Sequence, residues 1–277
     1  MPTERKAWAQ EELLIVFRLY CRTPFGRLHQ RNPEIIELAR LIGRTPGAVA
    51  MKACNFASLD PQQQARNIKA LGNVSRADRE LWGAFLGDSE SVAKEAEAAY
   101  VAISGKESDD YLPELGHAEE PIGQIISQKE MPSRKGLKTP DGSTEKESLV
   151  KTRRIQSFFR AVVLTSYENR CALTGLAIPE LLTASHIIPW SVDEKRRADP
   201  RNGICLNALH DRAFDRGLIT FDDNLRVLVS HQITRAEESK LHREQLIGIA
   251  GQILRSPIRF QPETSALEYH RKHIFKR

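Results

Sequence analysis

The sequence predicts an α+β protein, with an all-helical N-terminal half and a C-terminal strand–loop–strand–helix unit. Three observations carry this. Apolar residues recur at helical spacing through residues 1–104. After residue 151 the pattern changes to one amphipathic helix followed by short β-type runs bounded by Pro, Gly and Asn. Between them, residues 105–150 are rich in Gly, Pro, Ser, Lys and Glu and poor in aromatics, which is a linker composition. The expected organisation is therefore a helical domain at 1–104, a linker at 105–150 and a second domain at 151–277.

Trp8, Leu13, Leu14, Val16, Phe17 and Tyr20 mark the first helix. Ile35, Ile36, Leu38, Ala39, Leu41 and Ile42 form a second, ending at Gly43. Thr45 can cap a third, with Pro46 in its first turn and Ala48, Val49, Ala50, Met51, Ala53 and Cys54 along it. A small residue at Ala39, a glycine at Gly43 and a branched residue at Val49 suit a helix–turn–helix unit. Helices are also expected over 61–71 and 75–100, and a helical turn in P-I-G-Q-I-I-S within the linker.

In the second half, Ile155, Phe158, Phe159, Val162, Val163 and Tyr167 fall on one helical stripe. C-A-L-T-G (171–175) reads as a short strand and turn, and 181–188 as a strand stopped by Pro189. A charged loop over 191–201 leads to a strand at 203–206 and a helix at 207–215. A hairpin at 218–221 and 226–230 and a helix at 235–248 follow.

Composition narrows the function. No apolar run is long enough to span a membrane, and M-P-T-E-R-K-A-W has no leader-type stretch, so a cytoplasmic protein is expected. The four cysteines form no C-x-x-C pair and read as buried thiols rather than a zinc knuckle. The net charge of +5 is uneven: +2 over 1–104, −4 over 105–150 and +7 over 151–277. The basic C-terminal part suits a phosphate-backbone partner.

That part also holds the densest chemical signal, His186-x15-Asn202-x7-His210 with Asp215 after it. Phosphodiester hydrolysis needs a base for water, a cation for the charge developing on phosphate, and stabilisation of the leaving oxygen. Histidine suits the first task and one divalent ion the others. A hairpin followed by a helix can bring His186, Asn202, His210 and Asp215 to one cleft.

R-I-Q-S-F-F-R-A-V-V, C-A-L-T-G, A-S-H-I-I-P-W, N-G-I-C-L-N-A-L-H-D-R-A-F-D-R-G-L-I-T-F and Y-H-R-K-H-I-F resemble, in order, the HNH endonuclease family with its ββα-metal fold, in the branch found in bacterial restriction and defence nucleases. The resemblance implies that His186 is the general base. It implies that Asn202 orients the loop or contacts metal, and that His210 is a metal ligand. Ser185 stands where many relatives carry Asp or His, and Phe214 where many carry a second histidine. Asp215 is the nearest substitute, and Asn207 and Asp211 are weaker alternatives. The expected metal set is thus His210, Asp215, Asn202 and Ser185, holding Mg²⁺ or Mn²⁺ ahead of Zn²⁺ or Ni²⁺. About fifty residues of the N-terminal half, beginning at W-A-Q-E-E-L and with an unusual insertion between helices, loosely resemble a Myb/SANT-like or related helix-turn-helix, which implies DNA contact by Arg44, Thr45, Lys52 and Asn55. Arg212 and Arg216 are further candidates for phosphate contact.

The resulting expectation is a metal-dependent endonuclease acting on double-stranded DNA as a homodimer, of restriction type, with modified bases among the candidate targets. Two alternatives stay open: a DNA-binding or regulatory protein whose HNH fold has lost its chemistry, and a signal-activated abortive-infection nuclease effector.

Overall fold

The computed structural model describes residues 7–66, 74–105, 143–235 and 239–277, with the backbone alone over 143–149. The architecture is α+β: helices fill the N-terminal half, and two small antiparallel sheets lie in the C-terminal half.

Helix α1 (Gln10–Arg22) is the centre of the helical half, with every residue from Leu13 to Cys21 buried. Helix α2 (Pro33–Leu41) starts where the Asn32 side chain accepts the Glu34 amide, and α3 (Pro46–Ala57) where Thr45 accepts the Ala48 amide. Between them Gly43 adopts φ +64°, which the tight turn requires. Helix α4 (Pro61–Ala65) is short. The single helix expected over 75–100 is two, α5 (Arg76–Gly87) and α6 (Ser89–Ser104). Asp88 separates them: its extended backbone at φ −148° ends α5, and its carboxylate caps α6 by accepting the Ser91 amide. Phe17 packs edge-on against Phe56 at 5.1 Å and Phe85 at 4.9 Å, so α1, α3 and α5 share one core.

Helix α7 (Ser143–Ser166) begins inside the segment read as linker. The P-I-G-Q-I-I-S turn lies outside the described residues. Neighbouring residues of α7 serve two cores. Ile155, Phe158 and Val162 enter the helical core, while Phe159 and Val163 enter the C-terminal one. Residues 171–175 form turns rather than a strand, because the Cys171 and Gly175 amides are used within the turn, on Leu176 and Cys171 carbonyls. Strands β1 (Leu182–His186) and β2 (Gly203–Asn207) pair antiparallel, with Leu182 opposite Asn207 and His186 opposite Gly203. Helix α8 (Ala208–Asp215) follows at once, capped by Asn207. Strands β3 (Ile219–Phe221) and β4 (Val227–Val229) form the hairpin. After α9 (His231–Thr234) the expected long helix is replaced by α10 (Lys240–His242) and a π-helical turn over Arg243–Ile247, with 236–238 outside the described residues. Helix α11 (Thr264–His273) closes the chain.

Gly217, just past α8, sits at φ +68°, and a Cβ there would lie 2.0 Å from the Ile274 carbonyl oxygen. Only glycine lets the C-terminal segment press onto the end of α8, where the Lys276 amide donates to the Gly217 carbonyl. The two halves are also joined. The fully buried Arg259 donates to the Tyr20 and Cys21 carbonyls at 2.6 and 2.9 Å, satisfying the end of α1. Trp82 stacks on Phe260 at 5.8 Å, and Gln63 donates to the Ile258 carbonyl at 3.0 Å.

His270 on α11 is a buried core histidine. It stacks on Phe214 at 3.8 Å, its Nε2–H donates to the Phe214 carbonyl, and its Nδ1 accepts from the Thr220 hydroxyl at 2.9 Å. Burial pushes its pKa down to about 4 from 6.5, only partly opposed by the Phe214 carbonyl. Its neutral form therefore stabilises the fold fully above pH 6.5, and that contribution is lost as pH falls through this window to about 4. The loss should amount to roughly 3 kcal/mol. Urea unfolding of the wild type and of His270→Gln between pH 7.5 and 4 should show a steeper loss of stability in the wild type, the variant keeping only the slope that His186, also depressed to about 4, contributes.

No helix among the described residues is long and apolar enough to cross a membrane.

Candidate active site

The C-terminal hairpin is held open at one end by a clamp. Pro189 stops β1, and the chain returns to β2 through a loop containing two short 3-10 turns. Asn202, 1% exposed, closes that loop. Its Oδ1 accepts the Ile188 amide at 2.8 Å, its Nδ2 donates to the Ile188 carbonyl at 3.0 Å, and its own carbonyl accepts the Ile187 amide. The whole amide is spent on the backbone. Of the two roles the sequence offered Asn202, loop organiser or metal contact, these bonds supply the first.

His186 ends β1, opposite Gly203. A Cβ on Gly203 would fall 2.5 Å from Val163 Cγ2 and 2.8 Å from Phe159 Cζ. The missing side chain lets Phe159 come up under the imidazole, where the rings stack at 3.8 Å and 11°. Trp190 meets the same ring edge-on at 5.6 Å. Nε2 lies 3.1 Å from the Arg197 carbonyl oxygen. A carbonyl only accepts, so Nε2 carries the proton and Nδ1 keeps its lone pair. Burial pushes the pKa to about 4; the hydrogen bond to the Arg197 carbonyl opposes this and the Arg197 charge adds to it. At neutral pH the ring is thus a neutral base with its tautomer set by the backbone.

His210 is placed differently. It is 0% exposed, its Nε2–H donates to the Gln245 carbonyl at 2.7 Å, and its Nδ1 accepts from Asn207 Nδ2 at 3.1 Å. Both nitrogens are occupied, and neither bonded neighbour is shared with His186. His186 and His210 thus make their hydrogen bonds to separate partners, His186 to Arg197 and His210 to Gln245 and Asn207. The signal was present in the sequence: His210, Ala213 and Phe214 are the buried stripe of α8, at i, i+3 and i+4. The next residue turns about 100° away from that stripe, toward β1. There Asp211 Oδ1 accepts a short hydrogen bond from the Ser185 hydroxyl. Ser185 is 2% exposed and faces α8, while His186 faces α7. Asp215 lies one turn beyond Asp211 on the same side of α8 and is exposed.

Among the described residues no group of three or more His, Cys, Asp or Glu side chains is placed to hold a metal ion. The donor pair present, the Asp211 carboxylate and the Ser185 hydroxyl, is all oxygen. Such a pair fits a hard cation that keeps several waters and takes phosphate oxygens, as Mg²⁺ does, better than an ion that seeks imidazole or thiolate.

Residues 171–222 match the HNH endonuclease family. This segment is an HNH domain. It covers β1, the clamped loop, β2, α8 and β3, so His186, Asn202, Ser185 and Asp211 all lie within it. No curated protein matches the chain.

Outside the HNH domain, the residues proposed to read DNA are inward or structural. Arg44 binds Glu12 at 2.6 Å, donates to the Ala7 carbonyl and lies over the Trp8 ring at 4.4 Å. Lys52, 6% exposed, donates to both Asp78 oxygens at 2.9 and 3.0 Å. Asn55 is buried, and Thr45 is the α3 cap. Helix α2, the turn and α3 are present, but the face of α3 that carries Lys52 and Asn55 is packed into the helical half. Within the HNH domain, Arg212 and Arg216 are exposed one turn apart on α8. In the loop, Lys195 is exposed, whereas Arg196 and Arg197 pair with Glu263 and Glu194.

Proposed function

We propose that the chain is a metal-dependent DNA endonuclease of restriction type, acting in the cytoplasm on double-stranded DNA and using His186 as general base. The observation that carries this reading is the anchored imidazole. A neutral ring whose Nε2 is tied to the Arg197 carbonyl leaves Nδ1 to accept a proton, in a hairpin whose next residue, Ser185, is bonded to Asp211. Nδ1 takes a proton from water, the hydroxide attacks phosphorus, and the 3′-oxygen departs. Asp211, with Ser185 and Asp215 beside it, would hold a divalent ion, and that ion would supply neutralisation of the charge growing on the phosphate and the leaving oxygen. Arg212, Arg216 and Lys195 offer exposed positive charge to the DNA backbone. Cutting both strands takes two such sites, so the acting form is a homodimer.

The test is cleavage of plasmid and of modified and unmodified phage DNA by the purified full chain with Mg²⁺ or Mn²⁺. Nicked and linear products that vanish with a chelator are expected, and sequencing their ends reads the preferred site. Absence of cleavage on every substrate would overturn the proposal. It would favour a DNA-binding protein with the HNH fold but without its chemistry, a reading that the two-oxygen donor pair also accommodates.

A further inference from the structure

We infer that Glu90, on α6 of the helical half, is a positioning residue that holds His186 in its base-competent tautomer through Arg197. The inference rests on the nuclease reading above for its consequence, but not for its geometry. Arg197 touches both boundaries of the imidazole. Its carbonyl accepts the His186 Nε2–H at 3.1 Å. Its Nε donates to the Trp190 carbonyl at 2.9 Å, and its guanidinium lies over the Trp190 ring at 5.0 Å, the ring that meets His186 edge-on. One residue thus borders the imidazole on two sides, by its carbonyl and, through Trp190, by its side chain.

The guanidinium is held from two sides: Glu194 in the loop accepts from Nη2 at 3.3 Å, and Glu90 approaches from outside the HNH domain. Glu90 Oε2 lies 3.7 Å from Arg197 Nη1 and has no hydrogen-bond partner, while Oε1 pairs with Lys94 at 2.5 Å. Glu90 is only 7% exposed. A glutamate in the first turn of α6 is favoured by the helix end, but that benefit needs no burial. A buried carboxylate is retained at a cost unless cations answer it; Lys94 answers Oε1, and Arg197 is the loop cation nearest Oε2. The same loop is tied to α5 and α6 at two further points. The Ser89 hydroxyl donates to the Lys195 carbonyl at 2.8 Å, and Arg201 donates to the Leu86 carbonyl at 2.8 Å. These three attachments bracket residue 197, so the helical half braces the segment that sets the proton position on His186. Any ligand or partner that shifts the start of α6 acts on the base without touching it.

The test uses the full chain labelled with ¹⁵N-histidine, with the His186 signals assigned by their loss in His186→Ala. The wild type should give the Nε2–H pattern. Glu90→Ala should give a mixture of tautomers at His186 and lower kcat on plasmid about 10-fold with KM unchanged. Glu90→Asp should restore part of both. Glu90→Gln, which keeps the shape and removes the charge, guards against loss of fold and should behave as Glu90→Ala. Unaltered His186 signals in both Glu90→Ala and Glu90→Gln would overturn the inference, as would a change confined to KM. If the wild type cuts no DNA, the nuclease reading fails alone, and the tautomer pattern still decides the role of Glu90.

Discussion

Replacing His186 by alanine is expected to lower plasmid cleavage by about 10³-fold, the range associated with removal of a positioned general base. Affinity for DNA should change little, because Arg212, Arg216 and Lys195 stay exposed. The loss should appear in kcat. The side chain also stacks on Phe159, so some stability goes with it. A His186→Gln variant keeps much of the bulk, and its thermal unfolding separates the two effects. If His186→Ala folded and cut DNA at near wild-type rate, the base would have to be another group. Among the described residues His210 and His270 are poor substitutes, since each has both nitrogens bonded.

The second large effect distinguishes two neighbours on α8. Asp211→Asn should reduce cleavage about 10²-fold or more and raise the metal concentration needed for half-maximal rate. The amide oxygen can still accept from Ser185, so the hydrogen bond survives while the charge disappears. His210→Gln should act oppositely. It breaks bonds to the Gln245 carbonyl and Asn207 at a fully buried position, which should cost about 1–3 kcal/mol of stability. Below the unfolding transition it should leave the metal dependence of cleavage unchanged. Chemical denaturation and a metal titration of the cleavage rate, run on both variants, check the pair. Metal dependence altered in His210→Gln and intact in Asp211→Asn would return His210 to the metal and remove Asp211 from it.

These neighbours also mark where sequence reading stops. The α+β class, the helix path through α2 and α3, the hairpin and the HNH motif follow from periodicity, caps and residue order, and each is present. Which face a residue takes is another matter. His210 and Asp211 differ by one position, or about 100° around a helix, and spacing along the chain does not separate them. The apolar stripe of Ala213 and Phe214 does, once it is extended back to His210. Arg44, Lys52 and Asn55 were read as a DNA face because they are polar residues on a helix after a tight turn. Their partners, Glu12 and Asp78, lie on α1 and α5, and nothing local in the chain announces those pairings. Asn202 could serve a metal or the backbone from sequence alone. The return of the loop to Ile188 decides for the backbone.

The sequence by itself determined the α2–turn–α3 unit, the strand–loop–strand–helix order, the HNH segment, and the identity of a histidine followed by Ile-Ile-Pro at the end of a strand, because these depend on local propensity and short-range spacing. Only the tertiary structure decided that Phe159 and the Arg197 carbonyl fix the His186 ring, that Asp211 rather than His210 turns toward Ser185, and that Glu90 on α6 lies 3.7 Å from Arg197 in the loop. Each of those contacts joins elements distant in the chain or facing across a strand. Their existence depends on which faces the two cores bury together, and that is a property of packing rather than of any one segment.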